Sequence, residues 1–330
     1  MKHHLTLLAL VAATAVACAP APPTDTSITW CGAVPRSANE AFERVKVASP
    51  WFDVYRVAPG VFAIVEANQF QEAISYVITG TRRALMFDTG IGLVSIRPVV
   101  EELTSLPVTV INSHTHFDHV GGNTEFDSVL AVDTAYTRQN QAGFPHENLR
   151  SEVAPSSFCH GAPVGADTAT FRTKPWRASG TVRDGHRIDL GGRTIEVLQV
   201  PGHTPDALAL RDSANGLLWT GDSFYEAPIW LFVPETDLDA YERSLERLVS
   251  LAPSLTRLLP AHNVIASDPA RLAVTLGALR KVKRGEVRGT DQPGNQVTFT
   301  VDGVTLLTSR ALLQRRAGRD STDSAGVAKH

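Results

Sequence analysis

His114, His116, Asp118 and His119 stand within six residues as H-x-H-x-D-H, just after the apolar run Val108-Thr109-Val110-Ile111. Imidazole nitrogen and carboxylate oxygen suit Zn²⁺. On extended chain leaving a strand, side chains two apart point the same way, so His114 and His116 are expected to grip one ion. Asp118 and His119 follow where the chain turns toward a helix, and they are placed to hold a second ion beside the first. Histidine is 11 of 330 residues, so such a set of four arises by chance in roughly one chain per thousand or fewer. Two more histidines also follow strands: His203 in V-P-G-H-T-P-D from Val200 to Asp206, and His262 in Pro260-Ala261-His262-Asn263. Between them Trp219-Thr220-Gly221-Asp222 ends a buried strand in a carboxylate. Ligands at several strand ends converge on one sheet edge, where a cleft can form. Zinc there brings a bound water near its pKa at neutral pH and polarises a carbonyl, so the chemistry to expect is hydrolysis of an acyl bond.

Strands and helices must alternate to position these residues. Val61 to Val65, Ala73 to Ile78 and Ala84 to Phe87 are short apolar runs broken by Gly80 and by Asp88-Thr89-Gly90, and a helix is expected over Arg97 to Leu103. The second half repeats the plan: a hairpin of Arg187 to Leu190 and Arg193 to Val200 about Gly191-Gly192, then strands Ala207 to Leu210 and Leu217 to Thr220. Helix Leu238 to Ser250 puts Leu238, Tyr241, Leu245, Leu248 and Val249 on one stripe, and Asp268-Pro269 starts another that Gly285 ends. Val297 to Val301 and Val304 to Thr308 flank Asp302-Gly303, a favoured hairpin pair. Two sheet-forming halves with helices on their outer faces are implied. Residues 134–183, with Pro145, Pro155, Pro163 and Pro175, form an irregular insertion long enough to cover a site.

The composition, 43% hydrophobic and 20% charged, excludes a disordered chain and a coiled coil, and one large domain over residues 51–308 is the economical reading. Lys plus Arg number 31 against 34 Asp plus Glu, a net charge of −3. With no surplus cation for a phosphate backbone, a small-molecule substrate is expected and nucleic acid is not. Oligomeric state is left open. Lys2 precedes an apolar run from Leu5 to Val16, right for a secretory signal over residues 1–18 and too short for a permanent span. Ala15-Val16-Ala17-Cys18 resembles a bacterial lipobox, in which Cys18 would be lipidated and tie the chain to the membrane; Ala15-x-Ala17 equally fits release into the periplasm. Either way an exported protein is expected, with a tether and N-terminal arm over residues 19–50 and a flexible tail over 309–330. Cys31 and Cys159 are free to pair in an oxidising compartment or to remain thiols.

The order H-x-H-x-D-H, P-G-H-T, G-D and a last histidine, with Asp88-Thr89-Gly90 ahead of them, resembles the metallo-β-lactamase superfamily from Val61 to His262. The resemblance implies an α+β fold, the four-layered αββα sandwich, and two Zn²⁺ per chain. His114, His116 and His203 would bind one ion and Asp118, His119 and His262 the other, with Asp222 and a hydroxide bridging them. Asp88 falls where a residue orients a ligand histidine; without the resemblance it reads as a turn residue ahead of Gly90. The β-lactamases usually carry cysteine or serine where Asp222 stands, whereas a bridging carboxylate is similar to lactonases, glyoxalase II and related esterases. Glyoxalase II also has a helical C-terminal domain, and here the C-terminus reads as a hairpin. Acyl-homoserine lactonases carry tyrosine at the place of Tyr225, whose phenol could donate to a substrate carbonyl or nascent oxyanion. Asp118, Asp222 and Tyr225 are thus the candidate catalytic residues, with Trp230, Phe232 and Phe70 as an apolar cleft wall.

The expectation is an exported dizinc hydrolase opening a lactone or related ester by attack of the bridging hydroxide. One alternative keeps the machinery and hydrolyses β-lactams, weakened by Asp222. An iron oxidoreductase is disfavoured because no flavin or electron-transfer domain is evident. A non-catalytic zinc-binding lipoprotein is disfavoured because a structural zinc site normally closes at four ligands and seven are present. His146, His160 and His186 read as surface residues.

Overall fold

The computed structural model describes residues 28–314, so the leader and lipobox expected over residues 1–18, and residues 19–27 of the tether, lie outside the described residues. Three sheets are present. The first has eight strands in chain order: Glu43–Val45, Asp53–Ala58, Val61–Val65, Ile74–Thr79, Ala84–Phe87, Val108–Ile111, Val129–Val132 and Gly180–Val182. Its first five strands pair antiparallel and the last four parallel. The second sheet orders Arg257–Pro260, Leu217–Gly221, Leu208–Asp212, Thr194–Gln199 and Arg187–Asp189. A third, smaller sheet joins Ile229–Leu231 to Val304–Ser309, Gln296–Val301 and Thr290–Gln292.

Alternation along the strands explains the layering. In Val61–Val65, Val61, Ala63 and Val65 enter one apolar cluster and Phe62 and Ile64 another. Ile195 and Val197 share the first of these clusters with Leu208 and Leu210, whereas Leu198, Ala207 and Ala209 turn to the opposite face. The shared cluster is the interface between two sheets, and both outer faces are covered as well. That double burial is why these strands read as nearly continuous apolar runs. Val99 and Val100 of helix Arg97–Leu103 cover the first sheet, and helices Leu238–Leu251 and Arg271–Lys283 cover the second. The result is the expected αββα sandwich. Asp237 caps helix Leu238–Leu251 by accepting the N–H groups of Asp239 and Ala240. No helix among the described residues is long and apolar enough to cross a membrane.

The N-terminal arm is more than a tether. Glu43–Val45 forms an edge strand in the first sheet, held by Arg56 Nε–Glu43 at 2.8 Å and by Arg44 on Asp53. Arg36 pairs with the buried Glu72, and Asn39 accepts the Ile265 N–H at 3.0 Å. Cys31 and Cys159 form a disulfide with Cα atoms 5.4 Å apart, resolving the choice the sequence leaves open. Residues 309–314, expected to belong to the tail, are among the described residues, and Leu312 is buried against the third sheet. Near the end of helix Arg271–Lys283, Arg280 pairs with Glu242 and Glu246, and Lys281 with Asp302.

Glu66 carries a pH-dependent part of the stability. Its carboxylate is buried and accepts Trp51 Nε1–H at 3.0 Å and the Ile91 N–H at 2.9 Å, yet burial pushes its carboxyl up from 4.5 to about 7. The folded chain therefore holds a proton that the unfolded chain releases, and stability is lost as pH rises from about 4.5 through 7, by about 3 kcal/mol for this group. Glu152, also pushed up to about 7 by burial, adds in the same direction. Denaturant midpoints taken across that window should fall with pH in the metal-free wild type and fall less in Glu66→Gln.

Candidate metal centre

Parallel pairing delivers the site residues to one edge. Phe87 lies opposite Ile111 on co-directional strands, so Asp88 and the 112–119 loop leave the first sheet side by side. In the second sheet Gly221 lies opposite Pro260, which brings Asp222 and His262 out together. Thr194–Gln199 is antiparallel to Leu208–Asp212 and hence co-directional with Leu217–Gly221, so His203 emerges at the same edge. The sheets are joined there by Leu208 N–H to Ser113 O at 2.7 Å and Ile74 N–H to Ala261 O at 2.7 Å.

Two glycines are required by the backbone. Gly202, at φ 144, passes so close to Tyr241 that an added Cβ would lie 2.3 Å from its Cα. Gly221, at φ 51, leaves only 2.5 Å between such a Cβ and Ser113 Cβ. Larger residues would displace His203 and Asp222.

Seven side chains converge. His114 Nε2 is 2.8 Å from His116 Nδ1, and His203 Nε2 is 3.2 Å from each. Asp118 Oδ2 is 3.6 Å from His119 Nε2 and 3.7 Å from His262 Nε2. Asp222 lies between the two trios. Its Oδ2 is 3.5 Å from His203 Nε2 and 4.0 Å from His114 Nε2, and its Oδ1 is 3.1 Å from His262 Nε2 and 3.5 Å from His119 Nε2. His114 and His116 do converge, but from irregular chain after the strand and through different ring nitrogens.

The outward ring nitrogens are held. His203 Nδ1 is 2.7 Å from Trp230 O, His262 Nδ1 2.7 Å from Gln71 O, and His119 Nδ1 2.9 Å from Asp88 Oδ2. A nitrogen that donates to a carbonyl leaves the other, Nε2, with its lone pair toward the centre. Burial, helped by neighbouring histidines, holds His114 and His116 well below the usual range, and burial also lowers His203. A shift in that direction favours the neutral imidazole, the form that ligates. Burial would lower His119 too, but the carboxylates of Asp118, Asp88 and Asp222 raise it to about 10. Asp222 is held well below the carboxylate range by His262 and His119 against the burial that opposes them. His119 Nε2 and Asp222 Oδ1 are buried with no hydrogen-bond partner among the described residues. A donor set of nitrogens and carboxylates, with two such atoms aimed inward, fits metal ions.

Asp88 adopts φ 64 and also accepts the Ser113 N–H at 2.6 Å, fixing the chain that carries His114. Asn tolerates that backbone. Asp88→Asn is therefore expected to keep the fold and lower metal retention by about 10- to 100-fold, read by competition with a chelator.

Tyr225 lines the cavity beside the cluster, its ring 5.0 Å from His262 and its hydroxyl accepting the Trp230 N–H at 2.9 Å. The cavity holds about 450 Å³. Trp230 and Phe232 form one wall; Phe117, Phe144 and Leu149 form another. Phe70 is not at the cavity: its place in the turn gives the lining position to Gln71. The 134–183 insertion supplies Tyr136, Phe144, Leu149 and Glu152 to the lining and returns to the first sheet as strand Gly180–Val182. Asp206 was not singled out by the sequence, yet it accepts Thr115, Thr137 and Thr204 hydroxyls at 2.6, 3.1 and 2.7 Å, tying both histidine loops to the insertion. His146, His160 and His186 belong to none of the candidate metal clusters among the described residues.

A family model described as the metallo-beta-lactamase superfamily matches residues 73–262. The chain is 27% identical over 231 residues to the acyl-coenzyme A thioesterase MBLAC2 of Homo sapiens, covering 65% of this chain and 82% of that protein. It is 30% identical over 167 residues to a hydroxyacylglutathione hydrolase of Methylococcus capsulatus, covering 51% of this chain and 52% of that protein. Two solved structures are similar in fold. The sec-alkylsulfatase Pisa1 from Pseudomonas sp. has a TM-score of 0.55 at 16% identity, over 70% of this chain and 42% of that one. The DIM-1 metallo-β-lactamase has a TM-score of 0.50 at 16% identity, over 72% of this chain and all of that one.

Proposed function

The chain belongs to the metallo-β-lactamase superfamily, and on that premise we propose that it is an exported dinuclear zinc hydrolase that cleaves a lactone or a related ester, thioesters included. That it is a metal-dependent hydrolase follows from the family and from the relatives, whose names denote hydrolysis of acyl compounds. The observation that carries the finer reading is Asp222, whose two oxygens face two separate trios of ligand atoms. His114, His116 and His203 would hold one zinc and Asp118, His119 and His262 the second, with Asp222 shared. Zinc bound there supplies Lewis acidity and lowers the pKa of water to about 7.

The chain's own residues do the rest. Tyr225 accepts the Trp230 N–H and keeps its hydroxyl proton to donate to the substrate carbonyl oxygen, where negative charge develops. Asp118 turns Oδ2 toward His119 and His262; its other oxygen takes the proton given up by the attacking water and returns it to the leaving group. Trp230 and Phe232 shield the acyl portion from water. The carboxylate at 222 favours ester over β-lactam chemistry, as its resemblance to lactonases implies. The Cys31–Cys159 disulfide supports export, because such bonds persist in oxidising compartments. The apolar run and small residues before Cys18 support a cleaved leader with a lipid anchor at Cys18.

Protein lacking residues before Ala19 should hydrolyse an acyl-homoserine lactone, a phenyl ester and an N-acetylcysteamine thioester faster than a chromogenic cephalosporin; dominant cephalosporin turnover would reverse the assignment. Tyr225→Phe should lower kcat by about a hundredfold. It also strands the Trp230 N–H, so the melting temperature must be read alongside, and an unchanged kcat would assign Tyr225 to packing alone.

A further inference from the structure

Beyond the histidine and aspartate cluster, the charged side chains of the cavity are of one sign. None of the described residues lining it is Lys or Arg, whereas Glu152 stands in its wall and Glu235 at its exposed rim. Glu152 is only 8% exposed. Its Oε2 accepts Gln71 Nε2–H at 3.1 Å and its Oε1 the Ser151 hydroxyl at 3.3 Å. A carboxylate has about four acceptor positions, so capacity remains for a donor arriving in the cavity. Burial pushes the Glu152 carboxyl up to about 7. An arriving N–H would offset that cost, whereas a second anion would add to it. Gln71 also fixes this carboxylate relative to the centre, because its carbonyl receives His262 Nδ1.

We propose that Glu152, with Glu235 at the rim, determines specificity: the cavity takes acyl substrates carrying an N–H donor or a positive charge beyond the scissile carbonyl and rejects anionic ones. This rests on the hydrolytic reading above and narrows its substrate class. It separates this chain from an enzyme for polyanionic thioesters, which call for cationic side chains at the site.

The test uses phenyl esters of three acids of equal reach: 6-(dimethylamino)hexanoic acid, protonated at neutral pH; 6-acetamidohexanoic acid; and adipic acid, which leaves a free carboxylate. Zinc-loaded wild type should release phenol from the first two with kcat/KM at least about tenfold above the third. Glu152→Gln combined with Glu235→Gln should bring the three within about twofold. The matching anilides, titrated by calorimetry, should bind in the same order. Equal turnover of the adipate ester, or a preference that survives in the double variant, overturns the proposal. If no ester is cleaved but the anilides bind in the expected order, the hydrolytic reading falls and the charge selection stands. If esters are cleaved without charge preference, the reverse holds; if neither cleavage nor ordered binding is seen, both fall.

Discussion

Asp222→Asn should lower kcat/KM for the best ester by about a thousandfold or more while the chain still folds. Among the described residues the carboxylate is the one group whose oxygens face both trios, with Oδ1 toward His262 and Oδ2 toward His203. An amide keeps the shape but turns an N–H₂ group toward one of those histidines, and an amide nitrogen does not ligate. Metal ions contribute several kcal/mol of transition-state stabilisation, and each 1.4 kcal/mol is about tenfold in rate, which sets the size of the loss. Asn at 222 also removes the negative charge that acts on His119, His203 and His262. Circular dichroism and a melting curve alongside the kinetics would separate this loss from unfolding. Full activity in the variant would mean that Asp222 has no catalytic part.

Cys31→Ser should cost about 2–4 kcal/mol and lower the melting temperature by about 3–7 °C. The bond joins residues 128 apart, so its loss frees a long loop in the unfolded chain. It also reaches the cavity. Cys159 N–H donates to Asn68 O and Gln69 Nε2–H to Glu152 O, which fastens the segment bearing Leu149 and Glu152 to the turn bearing Gln71. A rise in KM with a smaller change in kcat is the expected kinetic mark, and a phosphine reductant, which lacks a zinc-binding thiol, should reproduce it on the wild type. If neither stability nor KM moves, then Arg36–Glu72 and Asn39 hold the arm without the bond.

The candidate ligand set was legible because metal chemistry demands particular side chains at strand ends, and His114, His116, Asp118, His119, His203, Asp222 and His262 all meet at one edge. The layering was legible for a similar reason: strands buried on both faces, such as Val61–Val65, leave an apolar run in the sequence. What escaped has no side-chain signature. Trp230 and Gln71 orient His203 and His262 through backbone carbonyls, which any residue provides. Glu43–Val45 holds two charged residues in three and becomes a strand only because Glu43 and Arg44 find Arg56 and Asp53 on the neighbouring strand. Ile229–Leu231 is three residues long, and its pairing with Val304–Ser309, remote in sequence, makes it a strand. Phe70 was misplaced because residue type in a turn does not say which side chain faces the cleft, and Gln71 takes that place. Asp206 had a readable signal, a carboxylate three residues after His203 in the same motif, whose use by three threonines only the fold reveals.

Sharing of Asp222 by two metal ions would be read from the zinc content of the purified chain lacking residues before Ala19, by inductively coupled plasma mass spectrometry after dialysis, beside Asp222→Ala. Two zinc ions per wild-type chain, with loss of at least one in the variant, is the predicted result. A single ion in the wild type, or two ions with full turnover in Asp222→Ala, would contradict it.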